Sequence, residues 1–455
     1  MSDSSEDDRA ASPPGAFSSV AERSAASHEE NAPKQNPGAP RLDRRRLLTA
    51  GAALGALGGG LFVPARSKAQ ETAQALVVPH WMREQGEPIL KQPYGLPSPF
   101  EKDVVRRARE RRATDTAATS FAPLQDSFGI ITPNGLCFER HHAGVPNIDP
   151  DRHRLVIHGL VERPLVFTMD ELMRFPSVSR IAFLECSGNT QNWKDSSPDF
   201  GVQQTHGLLM CCEWTGVLLS TLLDEVGVKP EATWVLAEGA DAAALSRSVP
   251  IAKALDDAMV VYGQNGERLR PEQGYPLRLL LPGFEGNMNV KWLRRLKLGD
   301  QPWQTHEETS KYTDLMPDGK ARQFTFVMET KSVITRPSGG QRLTGGPGFY
   351  EVSGLAWSGH GRITKVEVST DGGATWSEAQ LQEPILSKAV VRFRAPWRWD
   401  GGTAMLQSRA IDETGYVQPR HDELVDVRGV NSYYHYNAIQ TWRVSPDGAV
   451  SFHVA

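Results

Sequence analysis

A short apolar run, Ile181-Ala182-Phe183-Leu184, stops at Glu185-Cys186 and gives way to Ser187-Gly188-Asn189-Thr190-Gln191. An uninterrupted apolar run bounded by a small polar turn reads as a buried strand ending in a loop. Strand ends are where layered α/β architectures deliver side chains into crevices, and Cys186 stands at that junction. A thiol there serves as a metal ligand, as a nucleophile, or as a small buried filler, since free cysteine is among the most buried residue types. The segment alone leaves all three open.

The chain has 455 residues, enough for two or three domains of ordinary size. Its formal net charge of −4 argues against general nucleic-acid binding, which needs a basic excess to neutralise phosphates. A local basic pocket for a small anion remains compatible with it. The four cysteines are Cys137, Cys186, Cys211 and Cys212. They form no Cys-x-x-Cys pair, so neither a zinc ribbon nor a c-type haem attachment site is encoded. Adjacent Cys211 and Cys212 are not expected to bridge, because a vicinal disulfide strains the backbone. Cys137, Cys211 and Cys212 are therefore taken as structural thiols.

Residues 1–69 form a leader. Up to Pro40 it is rich in Ser, Ala, Asp, Glu and Pro and poor in large apolar residues, a composition that does not support a core. Arg44-Arg45-Arg46-Leu47-Leu48 then precedes a glycine-rich, uncharged, weakly hydrophobic run to Val63, followed by Ser67-Lys68-Ala69. An arginine pair, a moderate apolar region and a small-residue cleavage site read as a twin-arginine export signal. A transmembrane anchor needs a longer and less diluted run. Periplasmic export of a folded, cofactor-loaded enzyme is the expectation.

Residues 70–129 read as an N-terminal arm punctuated by Pro88, Pro93, Pro97 and Pro99, with a charged, helix-compatible stretch from Phe100 to Arg112. Residues 130–320 mix strands and helices without strict alternation, which predicts an α+β domain. Leu155–Gly159, Trp234–Leu236 and Leu277–Leu281 read as strands, Val290–Leu293 as extended chain, and Val217–Leu223 and Ile251–Ala258 as helices. Thr168, with Glu171 three residues on, forms a capping box for a short helix. From about Phe324 the helical periodicity disappears. Ile363-x-Lys365-Val366-x-Val368, the turn Asp371-Gly372-Gly373, Val390–Phe393 and Met405–Ala410 mark short strands. Residues 321–455 are therefore predicted to be an all-β immunoglobulin-like sandwich of about seven strands.

Several segments, in order, now point to one family: Phe138 to His142, Cys186-Ser-Gly-Asn, Gly207 leading to Trp214-x-Gly216, Pro276-Leu-Arg278 with Pro282-Gly283, and Asn289 to Leu293. In the sandwich they continue with Gly354-x-Ala356-Trp357-Ser358-Gly359, Ser369-x-Asp371-Gly372-Gly373-x-x-Trp376, Arg428-Gly429-Val430 and Trp442-Arg443-Val444. From Ile130 onward the chain resembles the sulfite oxidase family of molybdenum enzymes. Within it, the Glu-Cys-Ser-Gly-Asn form and the export signal look most like the sulfane dehydrogenase branch, which serves periplasmic thiosulfate oxidation.

The resemblance implies a molybdopterin cofactor with one molybdenum, and Cys186 as the single protein thiolate on the metal. Soft sulfur suits a metal that cycles between oxidation states. By the same match, Phe138, Glu139, Arg140, His141, His142, Asp241, Gln273, Arg278, Asn289, Val290 and Lys291 would contact the cofactor, its phosphate held by charge-assisted hydrogen bonds. Gln273 stands where the family carries a histidine. Arg140, Arg428 and Tyr312 would converge on the substrate. Two departures stand out: Gln191 replaces an arginine of the sulfite oxidases, and Gln204 is expected where they carry a pocket tryptophan. Loss of a cation and an aromatic lid favours a larger substrate than free sulfite, such as sulfane sulfur on a carrier protein. Electrons are expected to leave through a c-type cytochrome partner, with no haem on this chain, and the sandwich to form a homodimer. The competing expectations are a sulfite dehydrogenase with a separate cytochrome and a non-catalytic scaffold built on the sandwich.

Overall fold

The computed structural model describes residues 78–86, 93–109, 114–190, 197–316, 318–430 and 434–454. The leader and its export signal, and Gln191, lie outside them. The chain divides into two compact units, 1–94 and 95–455. In the first, a short 3-10 turn spans His80–Met82. Everything below concerns the second.

Two five-stranded sheets carry the first half of this unit. One runs in the order Glu267–Arg268, Met259–Gln264, Leu209–Leu218, Ser177–Glu185, with Arg278–Leu280 also paired to Met259–Gln264. The other runs Leu165–Phe167, Leu155–Gly159, Leu293–Gly299, Trp234–Gly239, Ser246–Pro250. Its one parallel pairing joins Leu155–Gly159 to Leu293–Gly299. Helices are short, Leu219–Val226 being eight residues. The layout is the α+β domain expected. Thr168 does form the capping box with Glu171.

A sandwich follows, with a four-stranded sheet from Lys331–Arg336 onward and a five-stranded sheet closed by Thr441–Val444 and Val450–His453. It has more strands than the expected seven or so, because short pieces such as Ser377–Glu378 and Gln380–Gln382 add to the edges. Its core carries four tryptophans exposed by 8% or less, Trp357, Trp397, Trp399 and Trp442. That core is continuous with Phe183, Leu184 and Trp214 of the first half. The two halves thus share apolar packing, and separating them would expose it.

Four sequence expectations need correction. Phe100 to Arg112 is not helical where described: a 3-10 turn spans Pro99–Glu101 and Arg107–Ala108 is a strand. Tertiary pairing overrides the local propensity, because Arg107–Ala108 pairs with Thr119–Phe121, which pairs in turn with Glu139–Arg140. The residues from Gly95 therefore belong to the compact body rather than to a free arm. Val217 and Leu218 remain in a strand, held on both edges by Ser177 and by Val260 and Met259, and the helix starts only at Leu219. After Lys291, Trp292 takes φ +54°, so the extended chain restarts at Leu293.

The halves meet backbone to backbone at Gly283 and Gly359. A Cβ on Gly359 would stand 2.1 Å from the Gly283 carbonyl oxygen and 2.7 Å from that of Met328. The Met328 amide donates to Gly283 (2.9 Å) and the Gly359 amide to Met328 (2.7 Å). Gly359→Ala should destabilise the protein by roughly 2–3 kcal/mol, measured by equilibrium denaturation against the parent.

Candidate active site

Strand Ser177–Glu185 is paired with Leu209–Leu218 along its whole length, from Ser177 opposite Val217 to Glu185 opposite Leu209. That pairing fixes where the strand ends and hence where Cys186 emerges. The Cys186 amide donates to the Leu208 carbonyl (3.0 Å), and the Asn189 amide donates back to the Cys186 carbonyl (2.8 Å). The Asn189 side chain donates to His206 O and accepts from the Leu208 amide, tying the turn to its neighbour. The 3-10 turn Gly286–Met288 then packs against the cysteine backbone. A Cβ on Gly286 would meet the Glu185 carbonyl oxygen at 2.9 Å.

Glu185 is fully buried and accepts from Asn189 Nδ2 (2.9 Å), Lys331 Nζ (2.8 Å) and Trp357 Nε1 (2.6 Å). Lys331 Nζ also donates to Thr190 Oγ1 at 2.8 Å. Two sandwich residues therefore brace both sides of Cys186. A second buried carboxylate, Glu285, accepts from Thr325 Oγ1 (2.8 Å) and Asn287 Nδ2 (2.5 Å) and pairs with His435 Nε2 (3.0 Å). Asn287 also donates to Ser187 Oγ, and the His435 amide to Ser187 O. Burial opposes ionisation of Glu285, but His435, Arg247 and Asn287 together hold its carboxyl below the ordinary value. Sequence reasoning missed Glu285, Lys331 and His435. Lys331 opens the mixed strand Lys331–Arg336, whose sequence gives no sign that the lysine is buried.

The Cys186 side chain faces a cavity lined also by Phe138, Arg140, His141, His142, Asp241, Gln273, Arg278, Asn289, Lys291 and Tyr312. Ten of the residues singled out from the sequence thus line one space together with the thiol. Asn287, Gly286, Trp292, Met210, Leu184 and Leu245 complete the wall and were not anticipated. Three expected residues do not line it. Glu139 stands behind His141, accepting from its Nε2 (2.7 Å) and from Arg106. Val290 is core. Arg428, at the end of helix His421–Arg428, donates to Glu329 Oε2 at 3.0 Å. Gln204 also differs from expectation: its Oε1 accepts from the Gly201 amide (3.1 Å), capping a short helix rather than facing the thiol.

The lining holds three strongly basic side chains, Arg140, Arg278 and Lys291, against one carboxylate, Asp241. Lys291 Nζ donates to Arg140 O, His141 Nδ1 and Glu272 O. Burial pushes its amine far below the ordinary lysine value, and Arg278 adds to the push. Burial also lowers Arg278 to about 10. Desolvation, then Arg140, depress His142 to about 4, so it is neutral at pH 7. Desolvation raises the Cys186 thiol, with Glu285 and Glu185 adding and Gly188 and Arg140 opposing. Cations crowded in a poorly solvated space favour an anionic occupant.

The polar bookkeeping inside the cavity is incomplete in a telling way. Asp241 Oδ1, Asn287 Oδ1 and Arg278 Nε are buried with no hydrogen-bond partner among the described residues. Unpaired buried groups are costly. Two acceptors and a donor beside a cationic wall suit a heterocycle with N–H groups and a phosphate. Among the described residues no group of three or more His, Cys, Asp or Glu could hold a metal ion. A metal at Cys186 must then bring most of its own ligands. The donor set fits a pterin dithiolene.

Residues 142–307 match the oxidoreductase molybdopterin-binding domain family, and residues 322–442 match the Mo-co oxidoreductase dimerisation domain family. The crystal structure of the sulfane dehydrogenase SoxCD from Paracoccus pantotrophus superposes with a TM-score of 0.81 and 49% identity, covering 83% of this chain and 98% of that one. The chain belongs to the sulfite oxidase family of molybdopterin oxidoreductases. Among curated relatives, mitochondrial sulfite oxidase of Rattus norvegicus is 30% identical over 361 residues, 73% of this chain and 65% of that protein. Sulfite oxidase of Gallus gallus is 31% identical over 315 residues, 64% of this chain and 68% of that protein. The NADH nitrate reductase of Ulva prolifera is 33% identical over 302 residues, only 34% of its length. The match thus spans less than two thirds of the rat and algal proteins. Membership in this family sets aside the scaffold reading and makes the protein an enzyme with a molybdenum-molybdopterin cofactor.

Within this family frame, Lys331 of the dimerisation domain has a specific duty: it neutralises Glu185, the residue before Cys186. Lys331→Met should cost about 3–5 kcal/mol by leaving Glu185 buried and uncompensated. Adding Glu185→Gln should recover much of that loss in the same denaturation experiment.

Proposed function

We propose that the protein is the molybdenum subunit of a sulfane dehydrogenase, oxidising a sulfane sulfur carried on a protein thiol. The observation that supports this most strongly is the 49% identity to SoxCD across 98% of that chain. The bound cofactor supplies oxygen-atom transfer and takes up the electron pair from sulfur.

The chain's own residues do the rest. Cys186 offers a thiolate at a strand end braced on both sides. Arg278 and Lys291 line the wall where an anionic phosphate would be held. Arg140 lines the same space with its backbone fixed in strand Glu139–Arg140 and is suited to orient an anionic substrate. Tyr312 keeps its proton: burial pushes its hydroxyl above the ordinary tyrosine value, with Cys186 adding and Arg247 opposing. It is therefore a hydrogen-bond donor across the neutral range and suits an oxyanion forming on sulfur.

The Arg44-Arg45-Arg46 leader supports export by the twin-arginine pathway to the periplasm with the cofactor already in place. Electrons pass to a c-type cytochrome subunit, and two copies pair through the sandwich, as the dimerisation-domain match supports. The second reading, a dehydrogenase acting on free sulfite, is favoured by the names of the curated relatives. With Gln204 serving as a helix cap, the pocket argument against free sulfite rests on Gln191 alone.

Steady-state assays of the cofactor-loaded protein with cytochrome c should show turnover with carrier-bound sulfane sulfur and poor turnover with free sulfite. Fast turnover of free sulfite with no carrier would overturn the proposal. Gln191→Arg should lower the KM for sulfite by about tenfold, the size of one added charge-assisted hydrogen bond. An unchanged KM would remove position 191 from the substrate argument.

A further inference from the structure

Behind the Tyr312 wall lies a cation that the mechanism above does not use. Arg247, in strand Ser246–Pro250, is 0% exposed. Its guanidinium carbon lies 4.7 Å from the ring centroid of Tyr312 and 5.3 Å from that of Phe324. Nε donates to Met288 Sδ at 3.0 Å, and the nearest carboxylate oxygen recorded for it, Glu308 Oε1, is 3.7 Å from Nε. Glu308 is itself engaged by the Ser248 amide (2.5 Å), Ser248 Oγ (3.1 Å) and the Thr305 amide (2.9 Å). Neither Nη1 nor Nη2 has a hydrogen-bond partner among the described residues.

A guanidinium with two idle nitrogens in a dry interior is expensive to keep. Met288, which it touches, is itself buried, so an apolar side chain of similar length would fit the same packing at lower cost. Glu285 and Glu308 favour its charge, and what the cation gains beyond them is the aromatic contact. Guanidinium groups stack on aromatic faces, and a desolvated contact of this kind is among the stronger ones. One of the two rings it meets, Tyr312, lines the cavity beside Cys186. Tyr312 is otherwise held by its amide on Glu307 O (3.3 Å) and by ring contact with Tyr434 at 5.0 Å. Leu245, two residues before Arg247, also lines the cavity.

We infer that Arg247 is a positioning residue of the molybdenum site, holding the Tyr312 ring against the cavity and backing that wall with a buried positive charge, so that oxyanions of sulfur bind there through Tyr312. The inference rests on the molybdenum site and not on which sulfur donor the enzyme uses.

Inorganic sulfate, titrated calorimetrically into the cofactor-loaded protein at constant ionic strength, tests it without turnover. Arg247→Met should raise the sulfate Kd about tenfold, while Arg247→Lys, which keeps the charge, should stay within about threefold of the parent. If the single variant fails to fold, the charge-balanced pair Arg247→Met with Glu308→Gln takes its place and should bind equally weakly. Tyr312→Phe added to either should weaken binding by less than the product of the separate effects, since the two residues act as one unit. Parent-like sulfate affinity in the Met variants, a Lys variant as weak as Met, or strictly additive effects with Tyr312→Phe would each overturn the inference. So would a parent protein that carries molybdenum and binds no sulfate, a result that leaves the carrier-bound substrate reading untouched.

Discussion

The buried pair between Glu185 and Lys331 is the interaction on which the rest depends. Both residues are exposed by 1% or less, and their charged atoms are 2.8 Å apart. One belongs to the strand that delivers Cys186, the other to the first strand of the dimerisation domain. In water such a pair contributes little, but in a dry interior breaking it strands a charge. Trp357 and Thr190 complete the same knot. The sandwich is therefore part of the active-site scaffold as well as the dimerisation domain. The thiol cannot shift without disturbing an ion pair that spans the two halves.

Charge also explains why the cavity needs its occupant. Arg140, Arg278 and Lys291 face one another across a space where water is scarce, and Lys291 is held well below its ordinary value by burial and by Arg278. Orphaned atoms on Asp241, Asn287 and Arg278 point the same way. An anionic pterin held there would relieve the repulsion and offer partners to the unpaired groups. Binding energy of this kind is stability as well, because a ligand held by the folded state alone shifts the folding equilibrium. Leu245 and Tyr312 line the same cavity as this cationic wall, and Arg247 stacks on Tyr312 from behind while donating to Met288.

Much of this was legible in the sequence where one residue type admits one role. The Thr168 capping box and the alternation after Phe324 survive in the structure, and the run Ile181–Leu184 does lie in a strand, one that starts at Ser177 and ends at Glu185. Ten residues picked from short motifs do surround Cys186. What was illegible depends on pairing at long range. Phe100 to Arg112 looks helical until Thr119–Phe121 is available to pair with it. Gln204 looks like a pocket residue until its side chain turns to cap Gly201. Arg428 follows a family motif, yet here it is bonded to Glu329. Lys331 and Arg247 carry no motif at all, and only the fold shows that each is buried beside the site.

Cys186 is proposed as the single protein ligand to the molybdenum. X-ray absorption at the molybdenum edge, comparing the cofactor-loaded parent with Cys186→Ser, addresses it most directly. One fewer sulfur scatterer is expected in the variant, with the pterin and metal retained by the cationic cavity. An unchanged sulfur shell would contradict it.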